Sequence, residues 1–163
     1  MGSRNVLDEL CGPDLDMVRV LIVGFGNPLR SDDGLGWHVA QELSRTLSRG
    51  DVQVVAAQQL TPEIAELASR AERLLFVDAA RNGTPGNLSC QQVAPTSSPG
   101  SYSHELTPAA ILKLAKELYG RCPLAQVFTI AGESFETGET ISPSVAAAIP
   151  TLIAQIKQSI DEA

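Results

Sequence analysis

Val18-Arg19-Val20-Leu21-Ile22-Val23-Gly24 runs straight into Phe25-Gly26-Asn27-Pro28-Leu29-Arg30-Ser31-Asp32-Asp33-Gly34-Leu35-Gly36. The first half is a short β-branched and aliphatic run closing on glycine, the pattern of a strand buried on both faces. The second half is turn-rich, and beyond it Leu35, Val39, Leu43 and Leu47 recur at helical spacing. Strand, glycine-rich turn and helix in that order open an α/β domain.

The alternation continues along the chain. Strands are expected at 18–24, 51–57, 73–78, 87–93 and 126–131, and helices at 35–47, 62–69, 107–119 and 142–160. Thr61-Pro62, Thr107-Pro108 and Ser142-Pro143 each place a capping residue before a proline at the first helical position. Strands separated by helices predict a three-layer α/β sandwich. Its five-stranded twisted sheet is mostly parallel, with helices on both faces and 87–93 as the one antiparallel strand. Residues 1–17 lack a period and are expected to form an N-terminal appendage to a single domain at 18–163. Met1 and Met17 both stand as candidate starts.

Composition narrows the function classes. With 163 residues, 44% hydrophobic and 19% charged, the chain can bury a sizeable core. The formal net charge is −7, and Lys and Arg form no cluster, which disfavours nucleic acid and an anionic membrane surface as partners. No apolar stretch approaches the roughly 20 residues of a spanning helix, and no signal peptide is expected. The three cysteines Cys11, Cys90 and Cys122 include no CxxC pair, so a reduced, cytoplasmic compartment is expected.

In an α/β sheet the chemistry belongs at the C-terminal strand edge, near the switch in strand order. The turn after the first strand is not a dinucleotide fingerprint, because Leu29 stands where the third glycine of GxGxxG would fall. Asp32 and Asp33 would also repel a pyrophosphate. Asp32 is placed to cap the helix near Leu35, leaving Asp33 to project from the edge, although both could simply serve the helix N-terminus. Asp78 ends an apolar strand, where an unpaired carboxylate is costly to bury. His104 lies in a Pro-, Ser- and Gly-rich loop, and Glu133 near the end of the last strand could line the same edge. His38, beside Trp37, reads as a packing or surface residue. No GxSxG elbow or cysteine context calls for a covalent nucleophile.

Gly24-Phe25-Gly26-Asn27-Pro28-Leu29-Arg30-Ser31-Asp32-Asp33-Gly34-Leu35-Gly36 resembles the GxGNxLxxDDGxG signature of the hydrogenase maturation proteases at every defined position. The likeness extends, in the order of elements, over the chain after Met17. It implies an endopeptidase that removes the C-terminal extension of a nickel-loaded [NiFe] hydrogenase large-subunit precursor. It also implies a metal-facing, catalytic set of Asp33, Asp78 and His104, with nickel supplied by the precursor rather than held by the free enzyme. Gly26, Asn27, Asp32, Gln59, Thr61 and Glu133 become supporting or substrate-contacting candidates, Asp32 by orienting the metal ligands.

One departure stands out. Gln58-Gln59-Leu60-Thr61-Pro62-Glu63 replaces an Asp-Gly-Gly-Thr-like segment and looks more like the subgroup serving bidirectional, NAD-linked hydrogenases, where His often stands at the place of Gln58. This segment is expected to choose the hydrogenase that is cut. A monomer is expected. The alternatives are a non-catalytic nickel-sensing or chaperone-like module for the same precursor, and a stand-alone metal hydrolase.

Overall fold

The computed structural model describes residues 17–96 and 105–162. The expected appendage, Met17 apart, lies outside the described residues. The elements in chain order are β1 (Val18–Phe25), a 3₁₀ turn (Ser31–Gly34), α1 (Leu35–Thr46), β2 (Val52–Ala57), α2 (Pro62–Ser69) and β3 (Ala71–Ala80), followed by β4 (Leu88–Val93), α3 (Pro108–Tyr119), β5 (Leu124–Ala131) and α4 (Pro143–Asp161).

The five strands form one sheet in the order β2-β1-β3-β5-β4. β1 pairs in parallel with β2 and β3, and β3 in parallel with β5. Only β4 is antiparallel, along β5, as its looser, more polar pattern anticipates. β1 is the pivot: α1 carries the chain from it to β2 on one side, and α2 carries it back across to β3 on the other. The C-terminal ends of β1 and β3 therefore flank the switch point, where an open α/β sheet offers a crevice.

Period-two alternation sorts the core into two layers. Val20, Ile22, Leu75, Val77 and Ile130 face α1 and α4, where they meet Leu35, Val39, Leu43, Leu152 and Ile156. Leu21, Val23, Leu74 and Phe76 face α2 and α3, against Ile64, Ala68, Ile111 and Leu112. All the named sheet residues are fully excluded from solvent. Each large aliphatic side chain buried this way contributes about 1.5–3 kcal/mol. Phe76 meets Phe25 edge to face, with ring centroids 6.2 Å apart.

The helix α4 has no basic residue in its last turn. Arg19 of β1 donates to the Ile160 carbonyl at 2.9 Å, and Arg73 of β3 donates to that of Ser159 at 2.5 Å. Two strands thereby supply the positive charge that a helix C-terminus favours, and they fix α4 on the sheet.

The three proline-started helices begin where the sequence places them, but only Thr107 makes the capping bond, accepting from the Ala110 N–H at 3.2 Å. The Ser142 hydroxyl is turned elsewhere, for a reason that lies in the site.

Candidate active site

The turn after β1 lies tightly against the start of α1. A Cβ on Gly36 would stand 2.1 Å from the Val77 carbonyl oxygen and 2.5 Å from that of Phe25. Only glycine lets the first turn of α1 sit this close to the ends of β1 and β3. Gly26 turns with φ +143°, and a Cβ there would meet the Asp33 carbonyl oxygen at 1.8 Å. These two glycines bring the acidic pair back onto the strand edge from which the chain has just left.

The two aspartates then diverge. Asp32 is fully buried. Its carboxylate accepts from the backbone N–H groups of Glu133 (2.8 Å), Ser134 (3.0 Å) and Ser142 (2.8 Å), and from Ser142 Oγ (2.7 Å). Burial favours the neutral acid, yet the donors of Ser134, Ser142 and Glu133 outweigh it and hold the carboxyl below its ordinary value. The expectation that Asp32 caps α1 is corrected here. Among the described residues no side chain caps that helix, and Asp32 instead ties the β5–α4 loop to the motif and claims the Ser142 hydroxyl. Four donors around one buried carboxylate overrule a single capping bond.

Asp33 is the freer member, as expected. Its Oδ2 accepts from the Asn27 N–H at 3.0 Å, while Asn27 Oδ1 accepts from the Leu29 N–H at 2.9 Å. Oδ1 lies 3.8 Å from the guanidinium of Arg81.

Asp78 sits near the end of β3 on the face shared with α2 and α3. Its Oδ1 accepts from the Ala79 N–H at 2.8 Å, its one hydrogen bond among the described residues. Burial pushes its carboxyl up to about 7; the negative charges of Asp33 and Glu105 add to this, and the Ala79 N–H and the charge of Arg81 oppose it.

Asp33 and Asp78 open on one cleft of about 250 Å³, lined also by Phe25, Gly26, Arg30, Gln58, Gln59, Leu60, Arg81, Glu105 and Leu106. It occupies the switch point between β1 and β3. Gly26 and Gln59 of the sequence-predicted set thus join the two aspartates. Asn27 supports them through its N–H, and Thr61 stands at the start of α2. Glu133 does not line the cleft: its carboxylate accepts from Ser144 Oγ at 3.1 Å. His104 lies outside the described residues. His38 is away from the cleft, edge-on to Trp37, with Nε2 buried and unpartnered among the described residues; burial lowers its pKa. Cys90 and Cys122 are exposed free thiols.

Two features of the cleft escape a reading of the sequence. Arg81, the residue after β3, reaches Asp33, and its guanidinium lies 4.5 Å from the ring centroid of Phe135 in the β5–α4 loop. An arginine after a strand and a phenylalanine in a turn carry no periodic signal.

Among the described residues no three His, Cys, Asp or Glu side chains are grouped so as to hold a metal ion. The donor chemistry nonetheless fits part of a divalent site: the carboxylates of Asp33 and Asp78, each with an oxygen that accepts no hydrogen bond among the described residues, leave further ligands to be supplied by an imidazole or an incoming chain.

No family model matches the sequence, and no curated protein matches it. Solved structures do resemble it. The hydrogenase maturating endopeptidase HybD from E. coli matches with a TM-score of 0.72 and 21% identity, over 89% of this chain and 93% of its own. A [NiFe] hydrogenase maturation protease HycI from Thermococcus kodakarensis gives 0.70 and 23%, over 96% and 99%. A hydrogenase 2 maturation peptidase from a Thaumarchaeota archaeon gives 0.67 and 25%, over 88% and 98%. No described helix is long and apolar enough to cross a membrane. The chain therefore shares the fold of these hydrogenase maturation endopeptidases.

Proposed function

We propose that the protein is an endopeptidase that removes the C-terminal extension of a nickel-loaded [NiFe] hydrogenase large-subunit precursor. The observation that carries this reading is the convergence of Asp33 and Asp78, from different strands, on the switch-point cleft of a fold shared with maturation endopeptidases.

In this reading nickel is part of the substrate, held by the precursor, and it supplies Lewis acidity and registers the scissile bond. The chain contributes the receiving surface. Asn27 fixes Asp33 Oδ2 and leaves Oδ1 toward the cleft. Asp78 presents a carboxyl of pKa about 7, which takes up or releases a proton readily at neutral pH. His104 completes the metal-facing set. Gln58 and Gln59, exposed on the rim, meet the precursor and select it, in the manner of the subgroup serving NAD-linked hydrogenases.

The test is cleavage of purified precursor, with and without nickel, read by intact mass. Wild-type protein is expected to release a short C-terminal peptide only from the nickel-loaded form, and Asp33→Ala and His104→Ala to release none. Stable binding of the loaded precursor without any loss of mass would replace the protease by a nickel-sensing module.

A further inference from the structure

The cleft gathers the carboxylates of Asp33, Asp78 and Glu105. Like charges this close repel unless positive charge stands among them. Arg30 and Arg81 both line the cleft; among the described residues Arg81 is the one ion-paired with Asp33, and its charge also acts on Asp78.

The way Arg81 is held matters as much as its charge. Its guanidinium stands 3.8 Å from Asp33 Oδ1, an ion-pair contact too long for a hydrogen bond, and its side chain is 61% exposed. The other seat of the guanidinium is the face of Phe135. That ring belongs to the loop pinned to the motif by Asp32, through the N–H groups of Glu133, Ser134 and Ser142. A cation between a carboxylate and a fixed aromatic face can give up the first contact and keep the second.

We propose that Arg81 is the displaceable counter-ion of this cleft, standing between Asp33 and the Phe135 ring in the free enzyme and keeping only the ring when a divalent metal arrives. The free enzyme then binds divalent ions weakly because an ion must displace the guanidinium, while a metal already fixed in a docked precursor does so with the help of the whole interface. This rests on Asp33 and Asp78 being the metal-facing pair.

Calorimetric titration of the full-length protein with Cd²⁺ tests it. Arg81→Gln is expected to bind Cd²⁺ about tenfold more tightly than wild type, the effect of removing one competing charge at this distance. Arg81→Lys is expected to stay near wild type. Asp33→Asn is expected to bind Cd²⁺ more weakly than wild type, and combining it with Arg81→Gln to give no gain over Asp33→Asn alone. Arg45→Gln, which removes an equal charge away from the cleft, is expected to leave the affinity unchanged. Circular dichroism checks that each variant is folded. Dependence on Asp33 with no gain in Arg81→Gln, or an equal gain in Arg45→Gln, overturns the role of Arg81 alone. Wild-type binding indifferent to both Asp33→Asn and Asp78→Asn overturns the metal-facing pair beneath it.

Discussion

Asp32 and Ser142, 110 residues apart, are joined twice: Ser142 N–H donates to Asp32 Oδ1 at 2.8 Å, and Ser142 Oγ donates to Oδ2 at 2.7 Å. With the N–H groups of Glu133 and Ser134, this locks the start of α4 to the turn after β1. The turn after β1 and the β5–α4 loop are thereby held together.

Removing that carboxylate strands four donors in the protein interior. Asp32→Ala is expected to cost about 3 kcal/mol, in the range for losing a hydrogen-bonded buried charge. The urea midpoint measures it. The acid limb should change as well. Because the folded-state pKa lies below the ordinary 3.8, the carboxylate contributes stability that is complete above about pH 3.8 and lost as pH falls through the folded value. Asp32→Ala should unfold with a shallower dependence on acid. A midpoint equal to wild type would mean that water replaces the carboxylate.

Asp78 has the opposite sign. Its folded-state pKa is raised to about 7 from 3.8, so between those values the folded protein keeps a proton that the unfolded chain releases. Stability therefore declines as pH rises from about 3.8 to about 7, and the full cost is present above that window. Asp78→Asn in metal-free protein should raise the melting temperature by on the order of 5 °C at pH 8 and by much less at pH 5. The same substitution should abolish precursor cleavage. A carboxyl kept at the expense of stability is typical of a working site. An equal shift at both pH values would show that burial is not what perturbs this group.

The sequence reveals the interior of each element better than its ends. Leu74 to Val77 mark β3 unmistakably, but the strand runs from Ala71 to Ala80, because alanine and an outward Glu72 carry no strand signal. β5 begins at Leu124, two residues earlier than its periodicity suggests. The site divides in the same way. Asp78 stands out in the sequence because a polar group at the end of an apolar run needs a partner, and Asp33 because it follows Asp32 in the turn after the first strand. The bond from Asp32 to Ser142 does not, since a contact across the whole chain leaves no local pattern. Arg81 and Phe135 meet only through the fold, at 4.5 Å.

Glycine 36 tests the close approach that shapes the cleft. In an exposed helix, Gly→Ala stabilises by up to about 1 kcal/mol. Here the added Cβ meets the Val77 oxygen at 2.1 Å, and backbone cannot move aside cheaply. Gly36→Ala is expected to destabilise by about 3 kcal/mol or more, pushing α1 away from the sheet. Gly50→Ala, with nothing within 4 Å of its Cβ, is expected to stay within roughly 0.5 kcal/mol of wild type. Thermal unfolding of the pair measures the difference. Similar losses at both positions would mean that general backbone effects, not this contact, dominate.

Gln58 and Gln59 follow β2 on the cleft rim and are both exposed, so they hold little of the fold together. Gln58→Ala and Gln59→Ala should leave the melting temperature unchanged. Their effect should fall on precursor choice. Each amide offers both donors and an acceptor to a docked chain, and a lost hydrogen bond at such an interface costs about 1 kcal/mol. Together the two substitutions should shift the ratio of kcat/KM between two different precursors by roughly tenfold, a free-energy difference of about 1.4 kcal/mol. Because the amides line the cleft without belonging to its metal-facing pair, KM should carry most of the change. An equal loss on both precursors would place these residues in general docking and move the selecting surface elsewhere on the rim.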